Sequence, residues 1–187
     1  MQCSKFNSKF GEIVILWNFI ANKVRIKRIF LSNSLHIASF YQKSIISSAV
    51  IDNHLDIDNL IQQFELFLDG HSVQFSLELL DFSVCRPLQE MVIRTEYQIP
   101  RGSLSTYQLL ARTVGKPRAI RAIARALSQN PFPIVIPCHR VIRSDGFLGG
   151  YQGGLEMKRT LLRAEGISSS DTYYIENWKQ YLWQFRP

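Results

Sequence analysis

The chain has 187 residues, 46% hydrophobic and 20% charged, a composition that excludes a disordered chain or a fibre and suits one large domain or two small ones. Its net charge of +7 is concentrated in the back half: residues 1–90 carry 8 Lys/Arg against 9 Asp/Glu, whereas 91–187 carry 14 against 6, which points to a polyanion partner for the back half. Three cysteines (Cys3, Cys85, Cys138) with no C-x-x-C pair argue against a disulfide-stapled secreted module and give a structural zinc site no support.

No run reaches the ~18 apolar residues of a membrane span. Ile13 to Ala21 follows Lys5 and Lys9 as a signal segment would. Glu12 and Asn18 interrupt it, no small-x-small cleavage site follows, and the reading is a buried strand in an intracellular protein. Residues 11–32 then form a hairpin, with Ile13–Trp17 in one strand, Ala21-Asn22 in the turn, and Val24, Ile26 and Ile29 in the return strand. Residues 33–50 are Ser-rich and show no clear period. Leu60, Ile61, Phe64, Phe67 and Leu68 recur at helical spacing, with Asp56 or Asp58 as cap and Gly70 as stop. Val73, Phe75, Leu77 and Leu79 alternate, predicting a strand over 73–80.

The texture changes after Asp81. A helix over 86–98 offers Leu88, Met91, Val92 and Ile93 to a core, and Pro100 and Gly102 break the chain after it. Ser105 or Thr106 caps a short helix from Tyr107 to Val114 carrying Leu109 and Leu110. Gly115-Lys116 turns the chain, and Pro117 opens a second helix to about Leu127. Ile120, Ile123 and Leu127 share one stripe of it, with Arg118, Arg121 and Arg125 elsewhere on its surface. Two short helices on a tight turn make a helix-turn-helix, and the arginines suit phosphate contact.

Next comes Asn130-Pro131-Phe132-Pro133-Ile134-Val135-Ile136-Pro137-Cys138-His139-Arg140-Val141, an apolar strand fenced by prolines with a Cys-His pair at its end. A free thiol has a pKa near ~8.5 and is barely ionised at neutral pH, so an adjacent imidazole can supply the missing deprotonation.

The Pro-Cys-His-Arg-Val stretch preceded by Asn130-Pro131 resembles the active-site signature of the O6-alkylguanine-DNA alkyltransferases, the methylated-DNA–protein-cysteine methyltransferases. The likeness runs from about Pro87 to Gly166, roughly two-fifths of the chain. It includes Ile99-Pro100-x-Gly102, Ser105-Thr106-Tyr107, Arg121-Ala122-Ile123, Gly149 to Gly154, Lys158, Leu161-Leu162 and Glu165-Gly166. It implies an α+β architecture. A small N-terminal α+β domain (1–82) would carry the hairpin. A mainly helical, winged-helix-like domain (83–168) would bind DNA through the helix-turn-helix, leaving a tail (169–187) of unassigned role.

The resemblance also implies roles. Cys138 would take the alkyl group from guanine O6 in one irreversible displacement. His139 would deprotonate it through a bound water, with Glu165 orienting that imidazole and Asn130 bracing the turn. Tyr107 would contact the flipped base and a phosphate, and Arg121 would fill the gap it leaves. Tyr151 and Gln152 would close over the base, with Pro133 on the opposite wall and Val141 in the same set. Arg118, Arg125, Ala122 and Thr106 would complete the DNA contact. The expected substrate is O6-alkylguanine in duplex DNA, with O4-alkylthymine a second candidate. The protein would act as a monomer without metal or cofactor: Cys3 and Cys85 lack ligand-like spacing with His36, His54 or His71.

Three other readings compete. Alkyltransferase-like lesion binders share the scaffold but replace the nucleophile, typically with Trp, and Cys138 argues against that. A cysteine hydrolase takes its histidine from elsewhere in the chain, since neighbours on a strand face opposite ways. A helix-turn-helix transcription factor leaves the Pro-Cys-His-Arg run unexplained.

Overall fold

The computed structural model describes residues 1–32 and 40–185, so His36 lies outside the described residues. Two compact units emerge: Met1–Val84 with Pro131–Val135, and Cys85–Asn130 with Ile136–Pro187. The first break falls two residues beyond the expected 82/83 boundary. The chain also leaves the second unit for five residues just before the Cys-His pair.

The first unit is built on a four-stranded sheet in the order β3-β2-β1-β4. The hairpin of β2 (Gly11–Ile20) and β3 (Lys23–Phe30) turns at Ala21 and Asn22, whose φ of 49° and 58° match a two-residue turn with both central residues left-handed. Ile13 to Trp17 are all buried. β1 (Gln2–Ser8) pairs antiparallel with β2, and the short β4 (Val50–Ile51) pairs parallel with β1. Polar QCSKFNS gives β1 little apolar alternation. Burial of Cys3 and Ser4, and Ser4 Oγ accepting from Trp17 Nε1 at 3.0 Å, place it inside the sheet all the same.

Helix α1 covers Phe40–Ser48, and α2 covers Leu55–Leu68. The cap of α2 is His54, whose Nδ1 accepts the Asp56 N–H at 3.2 Å. Asp56 and Asp58 occupy the first turn instead, where negative charge suits the helix dipole. Ile57, Leu60, Phe64, Phe67 and Leu68 are buried, while Ile61 is only partly so. The strand expected over 73–80 does not form. Phe75 alternates into the core to meet Phe64 and Phe67, but the chain turns at 77–80 and leaves only the Ile26–Leu80 bridge beside β3. Its alternation records side-chain burial without a ladder.

In the second unit α3 (Pro87–Glu96) buries Val92 and Ile93, whereas Met91 faces outward. β5 (Ser105–Thr106) leads into α4 (Tyr107–Thr113), capped by Thr106 Oγ1 accepting the Leu109 N–H at 3.0 Å. α5 runs over Ile120–Ser128, three residues later than Pro117 implied. Pro117 and Arg118 lie in a turn closed by the Ala119 N–H donating to Lys116 O, a site where a preset φ is equally useful. Ile120 is consequently exposed, and Ile123, Ala126 and Leu127 form the buried stripe.

α6 (Leu155–Ala164), which no periodicity had singled out, buries Met157, Lys158, Leu161 and Leu162. The aromatic tail belongs to this unit: Leu104 N–H donates to Tyr181 O, Trp183 N–H donates back to Leu104 O, and Ile175 is fully buried. Tyr173, Trp178 and Tyr181 pack on the cluster around Leu104, Leu148 and Leu162. No described helix is long and apolar enough to cross a membrane.

Candidate active site

The segment before Cys138 is not the expected strand. Pro133 and Pro137 have no N–H to give a ladder, and Ile134 takes φ 75°. Cys138–Arg140 form a single 3-10 turn, closed by the Arg140 N–H donating to Pro137 O at 2.8 Å. β6 (Val141–Ile142) follows and pairs parallel with β5, Ser105 opposite Val141 and Thr106 opposite Ile142. That register fixes the start of α4, and so Tyr107, relative to the Cys-His turn.

Cys138 is buried, with 6% of its surface exposed. Asn130 Nδ2 reaches its Sγ at 3.4 Å and the Ile136 carbonyl at 3.5 Å, so one amide ties the segment just beyond α5 to the turn of Cys138. The Asn130 carbonyl in turn accepts from Gln152 Nε2 at 2.7 Å, which latches the glycine-rich loop. Gly149 lets that loop approach: its φ is 68°, and a Cβ there would stand 3.0 Å from the Tyr107 hydroxyl.

His139 is fully buried, with Nε2 2.9 Å from Glu165 Oε1. Glu165 also accepts from Arg140, through Nε at 3.1 and 3.0 Å and Nη2 at 2.8 Å, and from the Gly102 N–H at 3.3 Å. Arg140 Nη1 is anchored on the Ile99 carbonyl at 2.6 Å. The Tyr151 ring stands edge-on to the imidazole, with centroids 6.4 Å apart.

Burial sets the protonation states. It pushes the Cys138 thiol up to about 12, with the nearby Glu96 carboxyl adding to the rise and Asn130 and Lys158 opposing it. Burial lowers the His139 pKa against the pull of Glu165, so the imidazole rests neutral and able to accept a proton. Burial would raise Glu165, but the hydrogen bonds and charges of His139 and Arg140 hold it down to about 2. Tyr107 rises to about 12 through burial, then Cys138 and Glu96.

The structure therefore gathers Cys138, His139, Glu165, Asn130, Tyr107, Val141, Tyr151 and Gln152 in one unit. Arg121, Ala122 and Arg125 share the exposed face of α5, with Arg118 exposed in the turn before it and Thr106 buried as the cap of α4. Pro133 falls in the 131–135 stretch that belongs with the first unit. Three participants had no role in the sequence reading. Arg140 is visible in the Cys-His-Arg run and Lys158 among the residues that carry the family likeness, neither with a role, and Glu96 is not visible at all. Among the described residues no group of three or more His, Cys, Asp or Glu is placed to hold a metal.

The second unit thus holds a buried thiol next in sequence to a buried histidine–carboxylate pair, and it presents arginines on the exposed face of the second helix of a helix-turn-helix. Residues 87–167 match the family described as 6-O-methylguanine DNA methyltransferase, DNA binding domain. A methylated-DNA–protein-cysteine methyltransferase of Methanothermobacter thermautotrophicus is 52% identical over 113 residues, 60% of this chain and 62% of that protein, a little under two thirds of its length. One of Methanosarcina barkeri is 40% identical over 115 residues, 62% of this chain and 72% of that protein. Among solved structures, Mycobacterium tuberculosis OGT in complex with DNA superposes with a TM-score of 0.73 at 26% identity, over 89% of this chain and 93% of that one. The chain belongs to the 6-O-methylguanine-DNA methyltransferase family.

Proposed function

We propose that the chain repairs DNA inside the cell by moving the alkyl group of O6-alkylguanine onto Cys138, once per molecule. Cys138 Sγ attacks the carbon bound to guanine O6. The C–S bond forms as the C–O bond breaks, the electron pair leaves with the guanine, and the base regains a proton at N1. The thiol proton passes to His139, whose imidazolium Glu165 stabilises while Arg140 holds that carboxylate in place. A thioether is inert to water and to a second thiol, so the product does not turn over.

The observation that carries this reading is the buried thiol sharing a turn with a histidine–carboxylate pair. A thiol held near 12 needs a base, and the turn supplies one. A base stacked in a duplex cannot present O6 in line, so the nucleotide must be extruded at about a few kcal/mol, less for a mispaired lesion. Tyr107 and Tyr151 suit the walls of the receiving pocket, and Arg121 suits the vacated gap. Arg118 and Arg125 suit phosphate contact without sequence preference. The test is the intact mass after incubation with duplex DNA containing O6-methylguanine: one hydrogen replaced by one methyl group, mapped to Cys138. An unchanged mass, or a methyl on Cys3 or Cys85, overturns it.

A further inference from the structure

One buried ionisable group has no part in that chemistry. Glu96 closes α3 with 0% of its surface exposed, and neither carboxylate oxygen has a hydrogen-bond partner among the described residues. The groups facing it come from several elements. Lys158 on α6, Cys138 and Arg140 in the 3-10 turn, Tyr107 at the start of α4 and Tyr151 in the glycine-rich loop are near enough to act on it, or be acted on by it, electrostatically. On α3 itself the charged neighbours are the half-buried Glu90 and the exposed Arg94, which pair with each other. On α5, which packs against α3, Arg121 and Arg125 point to solvent.

Lys158 is the natural counter-ion, yet it makes no hydrogen bond to Glu96. Its Nζ is fully buried and donates instead to the carbonyls of Val141, at 2.6 Å, and Leu148. An ionised Glu96 would thus be a dry carboxylate without a donor, and it would sit at the negative end of its own helix. A neutral carboxylic acid meets neither penalty.

We propose that Glu96 is a positioning residue for the transfer: held as a neutral acid, it leaves the Lys158 ammonium uncompensated and so available to the Cys138 thiolate. This rests on Cys138 being the nucleophile. With Glu96 protonated and Lys158 charged, the pair presents one net positive charge to the sulfur, which favours the thiolate. Burial carries Glu96 up to about 8 and Lys158 down to about 8, so the two titrate as a coupled unit. Once the pair gives up its first proton its net charge falls to zero, and the thiolate loses its support. The proton-loaded pair thereby defines the pH range in which a deeply buried thiol can ionise.

Glu96→Gln keeps shape and polarity but cannot ionise. The first proton can then leave only from Lys158, so the net positive charge persists to higher pH. Single-turnover methyl transfer from saturating O6-methylguanine duplex, read as methyl on Cys138 by mass spectrometry, is followed from pH 6 to pH 9.5. The wild type bends toward a plateau near pH 8. In Glu96→Gln the bend moves up, so the ratio of the rate at pH 9 to that at pH 7 exceeds the wild-type ratio about threefold or more. Glu96→Leu provides the same comparison with no polar group. Superimposable profile shapes overturn the assignment of Glu96 while methyl on Cys138 sustains the proposed transfer; no methyl on the wild type removes the transfer and this inference together. Independently of any variant's rate, difference infrared spectra of the wild type between pH 7 and pH 9 show loss of a protonated-carboxyl band that Glu96→Gln lacks. A wild-type protein without that band also overturns the assignment.

Discussion

Arg140 and His139 share one carboxylate: Arg140 Nε lies 3.1 and 3.0 Å from the two oxygens of Glu165, while His139 Nε2 takes Oε1 at 2.9 Å. The guanidinium orients the carboxylate and also draws on its charge. Two side chains compete for Oε1, so Glu165 steadies an imidazolium less strongly than a lone carboxylate would. In return it is fixed in direction, and direction is what a base in a closed site needs.

Arg140→Lys keeps the charge and loses the planar fork, so Glu165 should swing and His139 lose its alignment. Transfer should slow by about tenfold to a hundredfold, a loss of general-base assistance, with affinity for undamaged duplex changed far less. Glu165→Gln should slow transfer as well, and part of the lost rate should return as pH rises and the thiol ionises unaided. Quenched single-turnover assays beside duplex titrations separate the two effects. Equal losses in rate and affinity would make the pair a fold element only.

Cys138→Ser removes the proposed nucleophile and preserves the turn, because Arg140 N–H and Asn130 Nδ2 retain the Pro137 and Ile136 carbonyls as acceptors. The variant should bind O6-methylguanine duplex within a fewfold of the wild type and never acquire the methyl. Binding lost along with transfer would mean that Cys138 shapes the pocket rather than attacks within it.

Acid and base act on the fold through opposite carboxyls. Glu165, held at about 2 against an ordinary 4.5, contributes stability that is present above about 4.5 and is lost as pH falls toward 2. Glu96, raised to about 8, contributes stability that is full below about 4.5 and is lost as pH climbs through 8. Urea midpoints should therefore show Glu96→Gln matching the wild type near pH 4 and exceeding it near pH 8, by on the order of 1–3 kcal/mol. A difference that does not change with pH would mean that Glu96 is neutral, or charged, throughout.

What the sequence made legible follows from how local each signal is. The hairpin at Ala21-Asn22 and the helix over Leu55–Leu68 are local patterns, and each formed, though His54 caps the helix in place of Asp56 or Asp58. The Pro-Cys-His-Arg run carried the site because its chemistry is contiguous. Signals that depend on distant partners misled. Val73–Leu80 alternates as a strand does, yet Phe75 is drawn to Phe64 and Phe67. Pro117 suits a helix start and a turn equally. Glu96 and Lys158 are ordinary letters in amphipathic helices until packing removes their solvent. A charge buried by tertiary contacts leaves no period for a sequence to display.

The exposed arginines also predict a form of binding. If phosphate neutralisation by Arg118, Arg121 and Arg125 dominates, affinity for undamaged duplex should fall linearly on a log–log salt plot. Each lost contact should lower the slope by about 0.9, with little dependence on base sequence. A salt-insensitive, sequence-selective footprint would instead favour a transcription factor built on the same helix pair.

Arg121 allows the most discriminating test. It lies in the first turn of α5, with Arg118 in the turn before it and Arg125 one helical turn beyond, all three exposed, so charge alone cannot single it out. If Arg121 fills the space an extruded nucleotide leaves, its loss matters only when a base must be flipped. Arg121→Ala should then slow transfer from alkylated guanine in a duplex by roughly tenfold or more, in keeping with the ~1–3 kcal/mol of one inserted or stacking side chain. Reaction with the free alkylated base, which needs no extrusion, should scarcely change. Arg118→Ala should lower duplex affinity and its salt slope with no selective loss on the flipping substrate. Equal depression of both substrates by Arg121→Ala would place the residue in support of the fold, and the gap left by the base would need another occupant.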